Sequence, residues 1–88
     1  MGGLKFSGMR LDKYLKVSRI IKRRTIANEA CDNGRVLVNN KVARASYDVK
    51  IGDILEVSFG TRTFKAEVTA VTETVRKEDA ALMYRIME

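Results

Sequence analysis

"SRIIKRRTIANEACDNGRVLVNN", residues 18–40, is the stretch whose reading decides the fold. Its first seven residues contain Arg19, Lys22, Arg23 and Arg24 and no acid. Ile26, Ala27, Ala30 and Cys31 then recur at helical spacing and form an apolar stripe. Thr25 stands before that stripe in the place of an N-cap, and Gly34 follows it as the residue that ends a helix in the left-handed conformation. A second helix is therefore expected over residues 25–33. Val36-Leu37-Val38 and Val42-Ala43-Arg44 flank Asn39-Asn40-Lys41, and asparagine tolerates positive φ, so a tight hairpin is expected next. Arg23 and Arg24 fall just before the positive end of the helix. Anions are favoured there, and arginines add charge-assisted, bidentate hydrogen bonds. Helix start and arginines converge on one expected phosphate site.

Upstream, residues 10–17 read as a first helix with Leu11, Tyr14, Leu15 and Ser18 on one face and Arg10, Lys13 and Lys16 mostly opposite. Asp12 is the one acid among them. It is read as a first-turn carboxylate favoured by the helix dipole or as a partner for a neighbouring arginine. Residues 1–8, "MGGLKFSG", lack periodicity and are expected to be a leader or an expression remnant. The domain is then 9–88, with its core motif in 10–57 and an extension in 58–88. Downstream, Gly52 punctuates "DVKIGD", and Ile54 to Phe59 alternates apolar and polar residues as a half-buried strand does. Gly60-Thr61 turns the chain. Residues 62–71 alternate again, with Phe64, Ala66, Val68 and Val71 inward. From Arg76 onward, Ala80, Ala81, Met83, Tyr84 and Met87 recur at helical spacing, so a C-terminal helix laid on the sheet is expected. The expected order is α–α–β–β–β–β–α. This is an α+β fold with two short N-terminal helices packed on a small antiparallel sheet and a C-terminal helix.

Composition narrows the chemistry. Eighty-eight residues make one domain. The single cysteine, Cys31, allows no internal disulfide. With Ala27 and Ala30 near it, it reads as a reduced core thiol of a cytoplasmic protein. No apolar run is long enough to cross a membrane as a helix. The chain has no histidine, which removes the usual general base and the usual zinc ligand. It has neither a phosphate-binding GxxxxGK[ST] loop nor a GxGxxG fingerprint. No catalytic residue, metal site or cofactor is therefore expected. Net charge is +6 and sharply segregated. Residues 1–24 carry eight Lys/Arg against the single acid Asp12, a net +7, whereas residues 25–88 carry nine against ten, a net −1. Such a block favours a polyanion. A basic membrane-surface or DNA-binding module is the weaker alternative, because Tyr14 and Leu15 make only a small apolar face that serves better as core.

Several linked motifs then resemble a known family. "RLDKYL" at Arg10–Leu15, "RRTIANEACDNGRVLVNN" at Arg23–Asn40 and "VKIGDILEV" at Val49–Val57 are similar to the alpha-L RNA-binding domain, named after ribosomal small-subunit protein S-four. Its pattern is R-L-D-x-x-L, an arginine before the second helix, G-x-V-x-V-N-G and a later G-D. Asn40 departs from the glycine usual there. The basic start and the tail "EDAALMY" resemble more closely the small stand-alone RqcP family, Gram-positive relatives of the fifteen-kilodalton heat-shock protein. The resemblance implies a non-catalytic factor of ribosome-associated quality control. Such a factor would bind large-subunit rRNA and peptidyl-tRNA, as a monomer when free, and support alanine tailing of stalled chains with RqcH. A generic rRNA- or tRNA-binding accessory protein of recycling or heat shock, or a fragment of an RNA-modifying enzyme, are the lesser readings. Position by position, the resemblance implies that Arg10 and Arg24 lead the RNA contacts. Lys13, Lys16, Arg19, Lys22 and Arg23 follow. Asp12 and Thr25 support them, and Asn39 and Lys41 add contacts from the turn. Phosphate and 2′-hydroxyl contacts are expected to outweigh base reading, because A-form RNA hides its major-groove edges.

Overall fold

The computed structural model describes residues 9–71, 80 and 82–87. The expected leader at 1–8 and the start of the expected C-terminal helix at 76–79 lie outside them. Two helices come first, α1 (Leu11–Val17) and α2 (Arg24–Asp32). Leu11, Tyr14, Leu15 and Ser18 are all buried, so the wheel reading of α1 holds. Helix α1 ends at Ser18, and Arg19 follows in the left-handed conformation at φ 66°. Helix α2 ends as expected. Gly34 has φ 75°, its N–H donates to the Cys31 carbonyl at 3.0 Å, and the Arg35 N–H donates to the Ala30 carbonyl at 2.9 Å. Those paired bonds satisfy the last carbonyls of the helix.

Around the helices runs a sheet built from β2 (Val36–Val38), β3 (Lys41–Val42), β5 (Ile54–Phe59), β6 (Arg62–Val68) and β7 (Tyr84–Ile86), in the order β3-β2-β5-β6-β7 and antiparallel throughout. A separate two-residue pair joins β1 (Met9–Arg10) to β4 (Asp48–Val49). The β2–β3 turn places both Asn39 (φ 53°) and Asn40 (φ 71°) in the left-handed region. This is the two-residue turn whose twist matches a hairpin. Asn40 therefore does what glycine does elsewhere. In β5 the alternation puts Leu55 and Val57 inside and leaves Glu56 and Ser58 half-exposed. In β6, Ala66 and Val68 are buried and Phe64 is half-buried against the core, as is Val71 beyond the end of the strand.

Three expectations are corrected. The C-terminal helix is absent at Tyr84–Ile86, which instead pair with β6 in the register Ala66↔Ile86 and Val68↔Tyr84. The spacing of Met83, Tyr84 and Met87 does fit a helix. Pairing along the otherwise open edge of β6 overrides that local period. Phe64 and Tyr84 meet edge-on across these strands, with ring centroids 5.7 Å apart. Ile26 is 49% exposed rather than buried. The helix is turned so that Ala27 and Cys31 face the core and Asn28, half-buried, points toward α1. Thr25 is no cap. Arg23 occupies the N-cap with extended backbone and makes no side-chain capping bond, and Thr25 lies one residue inside the helix.

The C-terminal segment also fixes α1. The Met83 carbonyl accepts hydrogen bonds from the Tyr14 hydroxyl at 2.6 Å, the Thr69 N–H at 2.8 Å and the Ala70 N–H at 3.1 Å. One buried oxygen thus ties the first helix to the edge of the sheet.

Candidate nucleic-acid interface

Asp12 organises the basic face. The residue is 2% exposed, and its carboxylate accepts hydrogen bonds from the starts of both helices. Arg10, the residue that leads into α1, donates Nε to Oδ1 at 3.2 Å and an Nη to Oδ2 at 3.3 Å. Asn28 of α2 donates Nδ2 to Oδ2 at 3.1 Å, and the Lys13 N–H donates to Oδ1 at 2.7 Å. Arg24, the first residue of α2, reaches Oδ1 at 3.5 Å. Burial by itself would raise the Asp12 carboxyl. The donors from Arg10, Asn28, Lys13 and Arg24 outweigh that cost and hold it down at about 2. The aspartate is therefore fully ionised at neutral pH.

This arrangement gathers two guanidinium groups, one from the start of each helix, on a single carboxylate. Arg10 and Arg24 keep 51% and 48% of their side-chain surface exposed. A guanidinium has five N–H donors, so most on each arginine remain free for an external acceptor. A cleft of about 390 Å³ opens beside Arg24, lined by Asp12, Arg24, Thr25, Asn28 and Glu29. The start of α2 adds to the field. No acid stands in its first turn and no side chain caps it. Positive side chains at the positive end of a helix dipole are unfavourable in isolation. An anion seated there relieves that repulsion and accepts the uncapped N–H groups.

The other basic positions are distributed more widely. Lys13 is half-buried on α1 beside Asp12. Lys16 and Arg19 are exposed at the far end of α1, roughly 10 Å along the axis from Arg10 at 1.5 Å per residue. Lys22 and Arg23 are exposed in the connection that leads into α2. Asn28 belongs to the site although the sequence reading does not single it out. Its signal is the helical period, since it stands four residues after Arg24 and so shares its helix face. Asn39 and Lys41 lie apart from this cluster, in the β2–β3 turn.

Cys31 is buried behind the cluster. Burial first, then the negative charges of Asp12 and Asp32, push its thiol up to about 11, so it stays a neutral core side chain.

The chain is also similar to known proteins. The S4 domain model matches residues 9–55, a span that contains both helices, the hairpin and the Gly52-Asp53 turn. The chain is 55% identical to the RQC P-site tRNA stabilizing factor of Halalkalibacterium halodurans, over 89% of each chain. It is 52% identical to the factor of the same name from Bacillus subtilis, over 91% of this chain and 93% of that one. Among solved structures, the trimeric heat shock protein 15 of Vibrio cholerae superposes with a TM-score of 0.84 at 27% identity, covering 91% of this chain and 82% of that one.

Proposed function

The chain belongs to the S4 domain family and to its group of RQC P-site tRNA stabilizing factors, and from that membership we propose that it is a cytoplasmic, non-catalytic RNA-binding factor acting on the large ribosomal subunit during quality control. In this reading it holds a peptidyl-tRNA on the subunit while RqcH directs alanine tailing of the stalled chain. Arg10 and Arg24 are the leading contacts, with phosphates of rRNA and tRNA as their acceptors. Lys13, Lys16, Arg19, Lys22 and Arg23 broaden the positive field along the same segment.

The observation that carries the assignment of Arg10 and Arg24 as RNA contacts is the Asp12 hub. One buried carboxylate presents two arginines from different helices toward solvent, beside an uncapped helix start. A structural ion pair alone would need one arginine. Two half-exposed guanidinium groups sharing one buried acceptor leave an excess of positive charge and free donors, and RNA backbones supply the complement.

Gradient sedimentation of cell lysate with tagged wild type and the Arg24→Ala variant tests it, with sequencing of the co-purifying RNA. Wild type is expected on free large subunits together with tRNA, and the variant at the top of the gradient with an almost unchanged melting temperature. Wild type on small subunits or on no RNA overturns the assignment. Binding is also expected to weaken steeply with salt, by a log–log slope of roughly −0.7 to −0.9 per phosphate neutralised.

A further inference from the structure

A second hollow lies away from the Asp12 cluster. It is a groove of about 600 Å³ beside the β2–β3 hairpin, with Asn39, Lys41, Val42, Arg44, Ser46 and Tyr47 prominent in its wall. Its volume is within the roughly 300–1,000 Å³ typical of ligand-sized sites. None of its lining residues is acidic. Neither Lys41 nor Arg44 is engaged in an ion pair or side-chain hydrogen bond among the described residues, in contrast to Arg10, Arg24 and Arg85. Val42, though apolar, is 63% exposed beside these two cations.

The groove is joined to the arginine cluster through the backbone. The Ala45 carbonyl accepts the Asp12 N–H at 3.2 Å, and the Tyr47 carbonyl accepts the Leu11 N–H at 2.8 Å. In the β1–β4 pair, Arg10 stands opposite Asp48. The wall carrying Arg44, Ser46 and Tyr47 is thus bonded to the start of the helix from which Arg10 projects. The groove is thereby held in a fixed place relative to the start of α1.

We propose that this groove is a second RNA subsite that takes a single unpaired nucleotide, with Lys41 and Arg44 paired to its phosphate and Val42 and Tyr47 covered by its ribose and base. The proposal rests on the RNA-binding reading above and extends it to a face that the +7 segment does not include. The chemistry selects this occupant. Two cations without a side-chain partner among the described residues, in a lining that holds no acid, call for an anion, and an exposed valine and an aromatic ring in the same wall call for an apolar face. An unpaired nucleotide carries both, and splayed single-stranded nucleotides are the form of RNA that side chains grip individually. Asn39 is committed elsewhere, since its amide pairs with Asp53 and with the Ile54 N–H.

Site-specific photocrosslinking of the full-length protein on large subunits carrying P-site tRNA tests this. A benzophenone amino acid is placed at Val42 in one variant and at Thr25, in the Arg24 cleft, in another. Both are expected to crosslink to RNA, and the Val42 crosslink is expected to disappear when Lys41→Ala and Arg44→Ala are combined with it. RNA at Thr25 with none at Val42, or protein alone at Val42, overturns the second subsite and leaves the first reading standing. RNA at neither position removes both. The same double variant is expected to bind large subunits roughly tenfold more weakly and to lower the salt slope by about 1 for each phosphate it no longer neutralises.

Discussion

Among the described residues, two buried carboxylates do opposite work. Asp12 collects cations, namely Arg10 and Arg24, and leaves half of each guanidinium in solvent. Asp53 collects neutral donors. The Tyr47 hydroxyl donates to it at 3.0 Å, the Asn39 amide at 3.2 Å and the Lys50 N–H at 2.9 Å. Every donor on Asp53 comes from a turn or connection, and each bond pins one segment of the fold to another. The contrast separates a carboxylate that displays charge from one that commits its hydrogen bonds to the chain's own path. Burial alone does not tell them apart, since both are largely withdrawn from water. The identity of their donors does.

Breaking each hub is the sharpest comparison. Asp12→Ala takes the acceptor from two half-exposed arginines, the Asn28 amide and the Lys13 N–H, and losing several bonds to a charged group costs about 3 kcal/mol. Chemical denaturation is expected to register that drop in stability, and ribosome binding is expected to fail with it. Asp53→Ala strands several donors and is expected to cost about 2 kcal/mol. With the domain still folded, RNA contact at the Arg24 cleft is expected to persist, read as the crosslink from Thr25. Equal loss of that crosslink in the two variants would erase the distinction.

Acid offers a second handle on Asp12. Its folded carboxyl titrates near 2, below the ordinary 3.8, so the folded state holds this proton more weakly than the unfolded chain does. The stabilisation is complete above about pH 4 and is lost as the pH falls toward 2, a contribution of about 2 kcal/mol. Circular dichroism of wild type and Asp12→Asn between pH 5 and about 2 is expected to show a shallower acid limb in the variant.

Smaller effects refine the comparison. Tyr14→Phe removes one donor from the Met83 carbonyl, which keeps the Thr69 and Ala70 N–H groups. The expected cost is about 1 kcal/mol in thermal or denaturant unfolding. Ile26→Ala is expected to cost less still, below about 1 kcal/mol, because the side chain is already half in water. A cost of several kcal/mol would mean that Ile26 packs inside and that α2 is turned differently.

The apolar face of α1, the glycine stop after α2, the asparagine turn and the alternation of β5 and β6 are all legible in the sequence. Each depends on residues only a few positions apart, where backbone preference and side-chain period act directly. The segregated charge is equally plain, and with it the expectation of a polyanionic partner. Tertiary structure decided the rest. It chose a strand over a helix for Tyr84–Ile86 because the edge of β6 needed a partner. It rotated α2 toward Asn28, because a buried carboxylate on another helix needed that donor. It also set Arg10 and Arg24, 14 residues apart in the chain, on one carboxylate, and joined the wall of the hairpin groove to the start of α1. Those outcomes rest on hydrogen-bond satisfaction between distant segments, which a local period cannot encode.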